Sequence, residues 1–186
     1  MLFRSLTTYL NLFFNDCYFP KGKLRDHKTQ ANRADIIVVT KCPVDLTKEE
    51  AKVIKNRISE WSSASVFFAT LQYPTLNVET LNSLKYTRNL LITGIADATP
   101  LESYLLDLDI SFDHLRFKDH HAYQASDFSN LNSYDRILTT AKDKVKLEAV
   151  IPNQFIEVIE VEHSICFDQK EALVKLILGK TFDEIN

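Results

Sequence analysis

The sequence predicts an α/β protein organised on a mostly parallel sheet with helices on both faces. Two observations carry that expectation. Runs of branched apolar residues such as Ile36-Ile37-Val38-Val39 are continuous rather than alternating, as in strands covered on both sides. Between such runs lie segments whose apolar residues recur at helical spacing, and a helix between successive strands is the crossover that parallel pairing requires.

Composition bounds the class. The 186 residues suit one domain, or one domain and an extra segment, with enough chain for a sizeable core. Hydrophobic residues make up 45% and charged residues 25%, which excludes disordered and collagen-like chains. A formal net charge of −3 offers no basic footprint, so no nucleic-acid partner is expected. Cys17, Cys42 and Cys166 are far apart and in no ligand spacing, so reduced thiols are expected rather than disulfides or a structural zinc site. No apolar run approaches the roughly 20 residues that span a bilayer.

Residues 1–14 are apolar and aromatic but lack the charged start and small-residue cleavage site of a signal peptide. They read as a strand or short helix that a neighbour covers. Residues 19–26 break regular structure at Pro20 and Gly22 and then alternate in charge. A loop of this kind, with lysine and arginine beside N–H groups freed by glycine, suits phosphate, but on its own reads first as a solvated surface loop, since lysine and arginine are mostly exposed anyway.

Residues 34–41 form the clearest strand, ended at Cys42-Pro43. Thr47 and Glu50 then make a capping-box pair opening a helix whose apolar face is Ala51, Ile54, Ile58 and Trp61. Residues 65–70 are a second strand, 71–87 a polar connection, and 89–96 a third strand that breaks at Gly94. Pro100 opens a helix at the position where its missing N–H costs nothing. Strands follow at 113–117, 136–140 and 155–159, with a short helix at 142–149. Asp168 is expected to cap a final helix through Leu173, Leu176 and Ile177 that ends at Gly179.

The chemistry concentrates at 115–127. Leu115 and Phe117 lead into Asp119, His120, His121 and Tyr123, with a new helix expected near Ser126. An acid, two imidazoles and a phenol thus stand at a strand end, where open α/β sheets place ligands. The same residues also suit a polar turn, Asp119 accepting backbone N–H groups while the histidines face solvent.

Five stretches recur in one order: Lys21-Gly22-Lys23-Leu24-Arg25-Asp26, residues 33–41, Thr93-Gly94-Ile95-Ala96, Phe117-Lys118-Asp119-His120-His121, and Leu138-Thr139-Thr140-Ala141-Lys142-Asp143. In that order and spacing they resemble the tetraacyldisaccharide 4′-kinases, the lipid A kinases of Gram-negative bacteria. The resemblance covers nearly the whole chain but only the C-terminal part of the family's length. It implies a P-loop-kinase-like C-terminal domain over 34–186, with 1–33 a remnant of the N-terminal kinase domain and its phosphate-facing loop. Family members begin with a membrane-associating segment, a Gly-rich phosphate loop and an acidic Walker-B-like stretch. With only Gly22, Gly94 and Gly179, this chain has no Gly-x-x-x-x-Gly-Lys-[Ser/Thr] cradle. Met1 is therefore expected to begin a truncated product or fragment, inactive alone.

The reaction implied by the resemblance transfers the γ-phosphoryl of ATP, with Mg²⁺, to the 4′-hydroxyl of lipid A disaccharide 1-phosphate. It places the family at the cytoplasmic face of the inner membrane; a fragment alone would be cytosolic. The partners implied are that glycolipid, the membrane surface and the N-terminal kinase half. On the same resemblance His120 assists an aspartate base of that half, with Asp119 beside it. Arg25 and Asp26 face the phosphates and metal, and His121, Lys142 and Asp143 support the site, with no metal ligand set of the chain's own. Three positions depart from the family pattern: Asp26 for glutamate, Lys118 for proline and Ala141 for glutamate.

Other readings stay open on sequence. Asp119-His120-His121, with Asp107, Asp109 and Asp113 upstream, could ligate the metals of a phosphoesterase. Alternatively the apolar opening marks a non-catalytic glycolipid- or partner-binding module. His114 reads as a packed strand residue, Asp143 as complementing a helix dipole, and Tyr123 as either a sugar-stacking ring or core.

Overall fold

The computed structural model describes residues 3–22 and 24–182, so Leu2 and Lys23 lie outside the described residues. In chain order its elements are β1 (Arg4–Thr8), β2 (Ile36–Cys42), α1 (Lys48–Ser59), β3 (Ser65–Gln72), α2 (Val78–Lys85), β4 (Asn89–Thr93) and α3 (Thr99–Asp107). There follow β5 (Phe112–Arg116), β6 (Arg136–Thr139), α4 (Ala141–Val150), β7 (Ile156–Val158), β8 (Glu162–Ile165) and α5 (Lys170–Phe182). The chain divides into two compact units, Met1–Gln72 with Glu162–Asn186, and Tyr73–Val161. Within the first unit β1 pairs in parallel with β2 from Arg4↔Ile36 to Thr8↔Thr40. Each unit has its own four-stranded, mostly parallel sheet, so the α/β class holds, with two sheets where one was expected.

The first sheet runs β1-β2-β3-β8, with only β8 antiparallel. Ile37 and Val39 of β2 and Val66 and Phe68 of β3 pack on Ala51 and Ile58 of α1, joined by partly buried Ile54 and Trp61. The expected apolar face of α1 is therefore the one in contact. Its start is the expected capping box, Thr47 accepting the Glu50 N–H at 3.2 Å and Glu50 Oε2 accepting the Thr47 N–H at 2.9 Å.

The second sheet, β5-β4-β6-β7, is parallel throughout. Every residue of β4 is buried, and alternate side chains enter opposite cores. Leu91 and Leu138 pack with Leu84 of α2 and with Leu101 and Leu105 of α3. Leu90, Ile92 and Ile137 pack with Leu147 of α4 and with Tyr123. At roughly 1.5–3 kcal/mol for each fully buried leucine or isoleucine, these two layers outweigh any single polar contact in holding the strand ends in place.

Five details differ from expectation. The connection 71–87 contains α2, capped by Asn77 Oδ1 accepting the Thr80 N–H at 2.8 Å. β4 stops at Thr93, because the next N–H, that of Gly94, turns to a side chain. Near Ser126 there is only a 3₁₀ turn, Ala125–Asp127. Asp168 closes another 3₁₀ turn, Cys166–Asp168, rather than capping α5. α5 itself runs through Gly179, where a helical glycine costs about 1 kcal/mol relative to alanine without breaking the helix. No helix among the described residues is long and apolar enough to cross a membrane.

Candidate functional site

Three connections of the second unit meet beyond the C-terminal ends of β4, β5 and β6. The Thr93 carbonyl accepts the Phe117 N–H at 2.8 Å, and the Gly94 carbonyl accepts the His120 N–H at 3.3 Å. From β6, Thr140 caps α4, its hydroxyl oxygen accepting the Asp143 N–H at 3.3 Å and its proton going to Asp143 Oδ2 at 3.1 Å. The same Oδ2 accepts the Gly94 N–H at 2.9 Å. The Asp119–His120 turn therefore hangs from Thr93-Gly94, and Thr93-Gly94 is tied to α4.

His120 occupies the left-handed region at φ 62°. Its side chain is 77% exposed, with Nε2 3.7 Å from Asp119 Oδ2. Asp119 Oδ1 accepts a hydrogen bond from Lys142 Nζ at 2.8 Å. That bond, more than the charge of His120, holds the Asp119 carboxyl below the usual carboxylate range. His121 is built differently: its ring stacks on Phe117 with centroids 4.6 Å apart, Nε2 lies 2.9 Å from Asp127 Oδ2, and its carbonyl accepts Lys146 Nζ at 3.2 Å. Of the two neighbouring imidazoles, one is open and the other is held.

Asp127 is a residue that sequence reasoning missed. It also accepts the Gln124 N–H at 2.9 Å, and the Gln124-to-Asp127 capping spacing was the available signal. His121 and Gln124 hold its carboxyl low. Tyr123, left open between sugar and core, is buried core, and burial together with the neighbouring Asp143 raises its phenol. Its hydroxyl and Asp143 Oδ1 are both buried without a hydrogen-bond partner. Both face Gly94, where a Cβ would stand 2.8 Å from the hydroxyl and 3.2 Å from Oδ1. Asp143, expected to complement a helix dipole, is fully buried and bonds across to β4.

Arg25 and Asp26 belong to the first unit, whereas Asp119, His120, His121, Lys142 and Asp143 belong to the second. Two N–H groups beside Gly22 are engaged within the loop: Gly22 donates to the Tyr18 carbonyl at 3.1 Å and Leu24 to the Cys17 carbonyl at 3.1 Å. A Cβ at Gly22 would lie 2.2 Å from the Cys17 carbonyl oxygen, so glycine serves a tight turn there. Arg25 is exposed and lines a surface pocket of about 380 Å³ with Tyr18, Phe19 and Leu24. Asp26 Oδ1 accepts the His27 N–H at 2.8 Å, just ahead of the 3₁₀ turn Lys28–Arg33.

A family model described as tetraacyldisaccharide-1-P 4′-kinase matches residues 6–181, through both units. The chain belongs to this family. It is 29% identical to the tetraacyldisaccharide 4′-kinase of Bacteroides thetaiotaomicron over 202 residues, covering 94% of this chain and 53% of that protein. To the enzyme of that name in Flavobacterium johnsoniae it is 33% identical over 154 residues, covering 77% and 44%. To that of Phocaeicola vulgatus it is 30% identical over 187 residues, covering 89% and 51%. The chain thus spans about half the length of the curated relatives it matches.

Gly22, Gly94 and Gly179 stand in no Gly-x-x-x-x-Gly-Lys-[Ser/Thr] run. Among the described residues no three His, Cys, Asp or Glu side chains gather to hold a metal ion. The phosphoesterase reading of Asp119-His120-His121 consequently lacks the ligand set that it needs. At the end of the second unit's parallel sheet, the exposed imidazole of His120 stands beside the lysine-held carboxylate of Asp119.

Proposed function

We propose that this chain forms the C-terminal part of a tetraacyldisaccharide 4′-kinase, and that its Asp119–His120 turn handles the acceptor hydroxyl's proton. The reaction is transfer of the ATP γ-phosphoryl to the 4′-hydroxyl of lipid A disaccharide 1-phosphate. The observation that carries this reading is His120, exposed at a strand end where Asp119 and Lys142 stand beside it. Imidazoles ordinarily titrate near neutrality and so exchange protons readily at physiological pH. Asp119 orients the ring electrostatically and Lys142 fixes Asp119; His121 and Asp143 hold the turn's backbone from either side. No ATP or Mg²⁺ contact is assigned to these residues. Arg25 and Asp26 are the first-unit residues proposed to face the phosphates and Mg²⁺.

Residues that the relatives carry outside the match would supply the phosphate cradle. Exposed Leu6 (71%), Leu10 (86%) and Phe19 (74%) support burial against such residues, in keeping with 1–33 as part of an interface to a kinase half. An acylated substrate calls for a membrane surface, and the cytoplasmic face of the inner membrane is the one proposed.

The test is a chimera in which residues 6–181 replace the matching part of the Bacteroides thetaiotaomicron relative. The chimera is expected to phosphorylate tetraacyldisaccharide 1-phosphate with ATP, and residues 1–186 alone are not. His120→Ala in the chimera is expected to lower kcat by about 10²–10⁴-fold, the range for lost general acid–base chemistry. An unchanged rate in His120→Ala would overturn the reading.

A further inference from the structure

Beyond the turn, the second unit holds a row of polar side chains running from β4 across β5 to α3. Thr93 Oγ1 lies 2.9 Å from His114 Nε2. His114 Nδ1 bonds to Glu102 Oε1, which also accepts from Arg116 Nη2. Thr93 is fully buried, and the side chains of His114 and Glu102 are 13% and 20% exposed. Arg116, 57% exposed, ends the row at solvent.

Charge fixes the proton positions. The Glu102 carboxyl is held below its usual range first by Arg116 and then by His114, so it is an anion at neutral pH. An anionic acceptor at Nδ1 requires that nitrogen to carry a proton and donate, and Nε2 pairs with the Thr93 hydroxyl. Valine has the shape of Thr93 and would fill its site without desolvating a hydroxyl. The row is therefore not the cheapest way to stabilise this core, and what it adds is a defined geometry.

The geometry in question is that of the strand end. Thr93 offers its carbonyl to Phe117, and Gly94 offers its carbonyl to His120. Asp143 grips Gly94 from α4, and His114 grips Thr93 from the α3 side. A non-glycine residue at φ 62°, as His120 is, is strained and persists where its surroundings over-determine it.

We propose that His114, oriented by Glu102, is a positioning residue that fixes the Asp119–His120 turn through Thr93. Its bearing on catalysis rests on the function proposed above, but its test reads geometry rather than turnover, so the two can fail separately.

The test uses the intact chain. Ring ¹⁵N spectra are expected to show His114 Nδ1 protonated and hydrogen-bonded; an unprotonated Nδ1 would overturn the proposal. Amide hydrogen exchange is then compared between wild type and Thr93→Val, which keeps the side-chain shape and removes only the donor. Exchange at Phe117 and His120 is expected to rise at least tenfold more than at Ile137, whose N–H bonds to Phe155 on β6's far side. Equal acceleration at all three would mean a general stability role only, and no acceleration would mean no role; either result overturns the proposal. His114→Phe should repeat the Thr93→Val pattern, and if it fails to fold, Thr93→Val decides alone.

Discussion

Asp143 Oδ2 accepts the Gly94 N–H at 2.9 Å, joining the first turn of α4 to the end of β4 across 49 residues of chain. Replacing Asp143 by Ala leaves that buried N–H and the Thr140 hydroxyl without an acceptor. The expected cost is about 1–3 kcal/mol, read as a lower urea midpoint with unchanged slope. Asp143→Asn keeps an acceptor oxygen and is expected to cost less.

Gly94 is needed for space rather than for an unusual backbone angle. The alanine Cβ would press on the Tyr123 hydroxyl at 2.8 Å and on Asp143 Oδ1 at 3.2 Å. Gly94→Ala is expected to destabilise by about 1–3 kcal/mol, as overpacking does. Tyr123→Phe removes the hydroxyl it would strike and should restore part of that loss in the double variant. A thermal-unfolding cycle measures the coupling, and simple additivity would contradict the contact.

Lys142 is the chief reason that Asp119 titrates low. In Lys142→Met the Asp119 carboxyl is expected to move up toward its ordinary value, followed through its side-chain ¹³C shift against pH. Because the pair is exposed, the change in global stability should be at most about 1 kcal/mol.

Glu102 gives the fold an acid-sensitive contact. Its folded pKa lies below its unfolded value, so its contribution is complete above the ordinary glutamate value of about 4.3 and is lost as pH falls through the lowered folded value. The melting temperature of the wild type is expected to fall more steeply than that of Glu102→Gln between about pH 5 and pH 3. Parallel curves would show that Glu102 is not linked to folding.

Local rules carried much of the fold. The continuous apolar run of β2 and the Thr47–Glu50 box are readable because their determinants lie within one strand or one helical turn. α2 escaped because eight residues behind an asparagine cap present little apolar periodicity. β8 escaped because it is a partly exposed edge with no apolar run. At the site, the cluster Asp119-His120-His121 was visible, but which imidazole is open was not. That choice follows from the Phe117 ring and the Asp127 carboxylate, which hold His121 and leave His120 to solvent.

By itself the sequence determined the α/β class, the Thr47–Glu50 capping box, the family resemblance and the strand-end position of the Asp-His-His turn, since each is written in short-range spacing. Only the tertiary structure decided that Asp143 is buried, that Glu102, His114 and Thr93 form one row, and that the chain divides at Gln72. Those outcomes depend on strand order, which brings Thr93, His114 and Asp143 to one sheet end although they lie far apart along the chain.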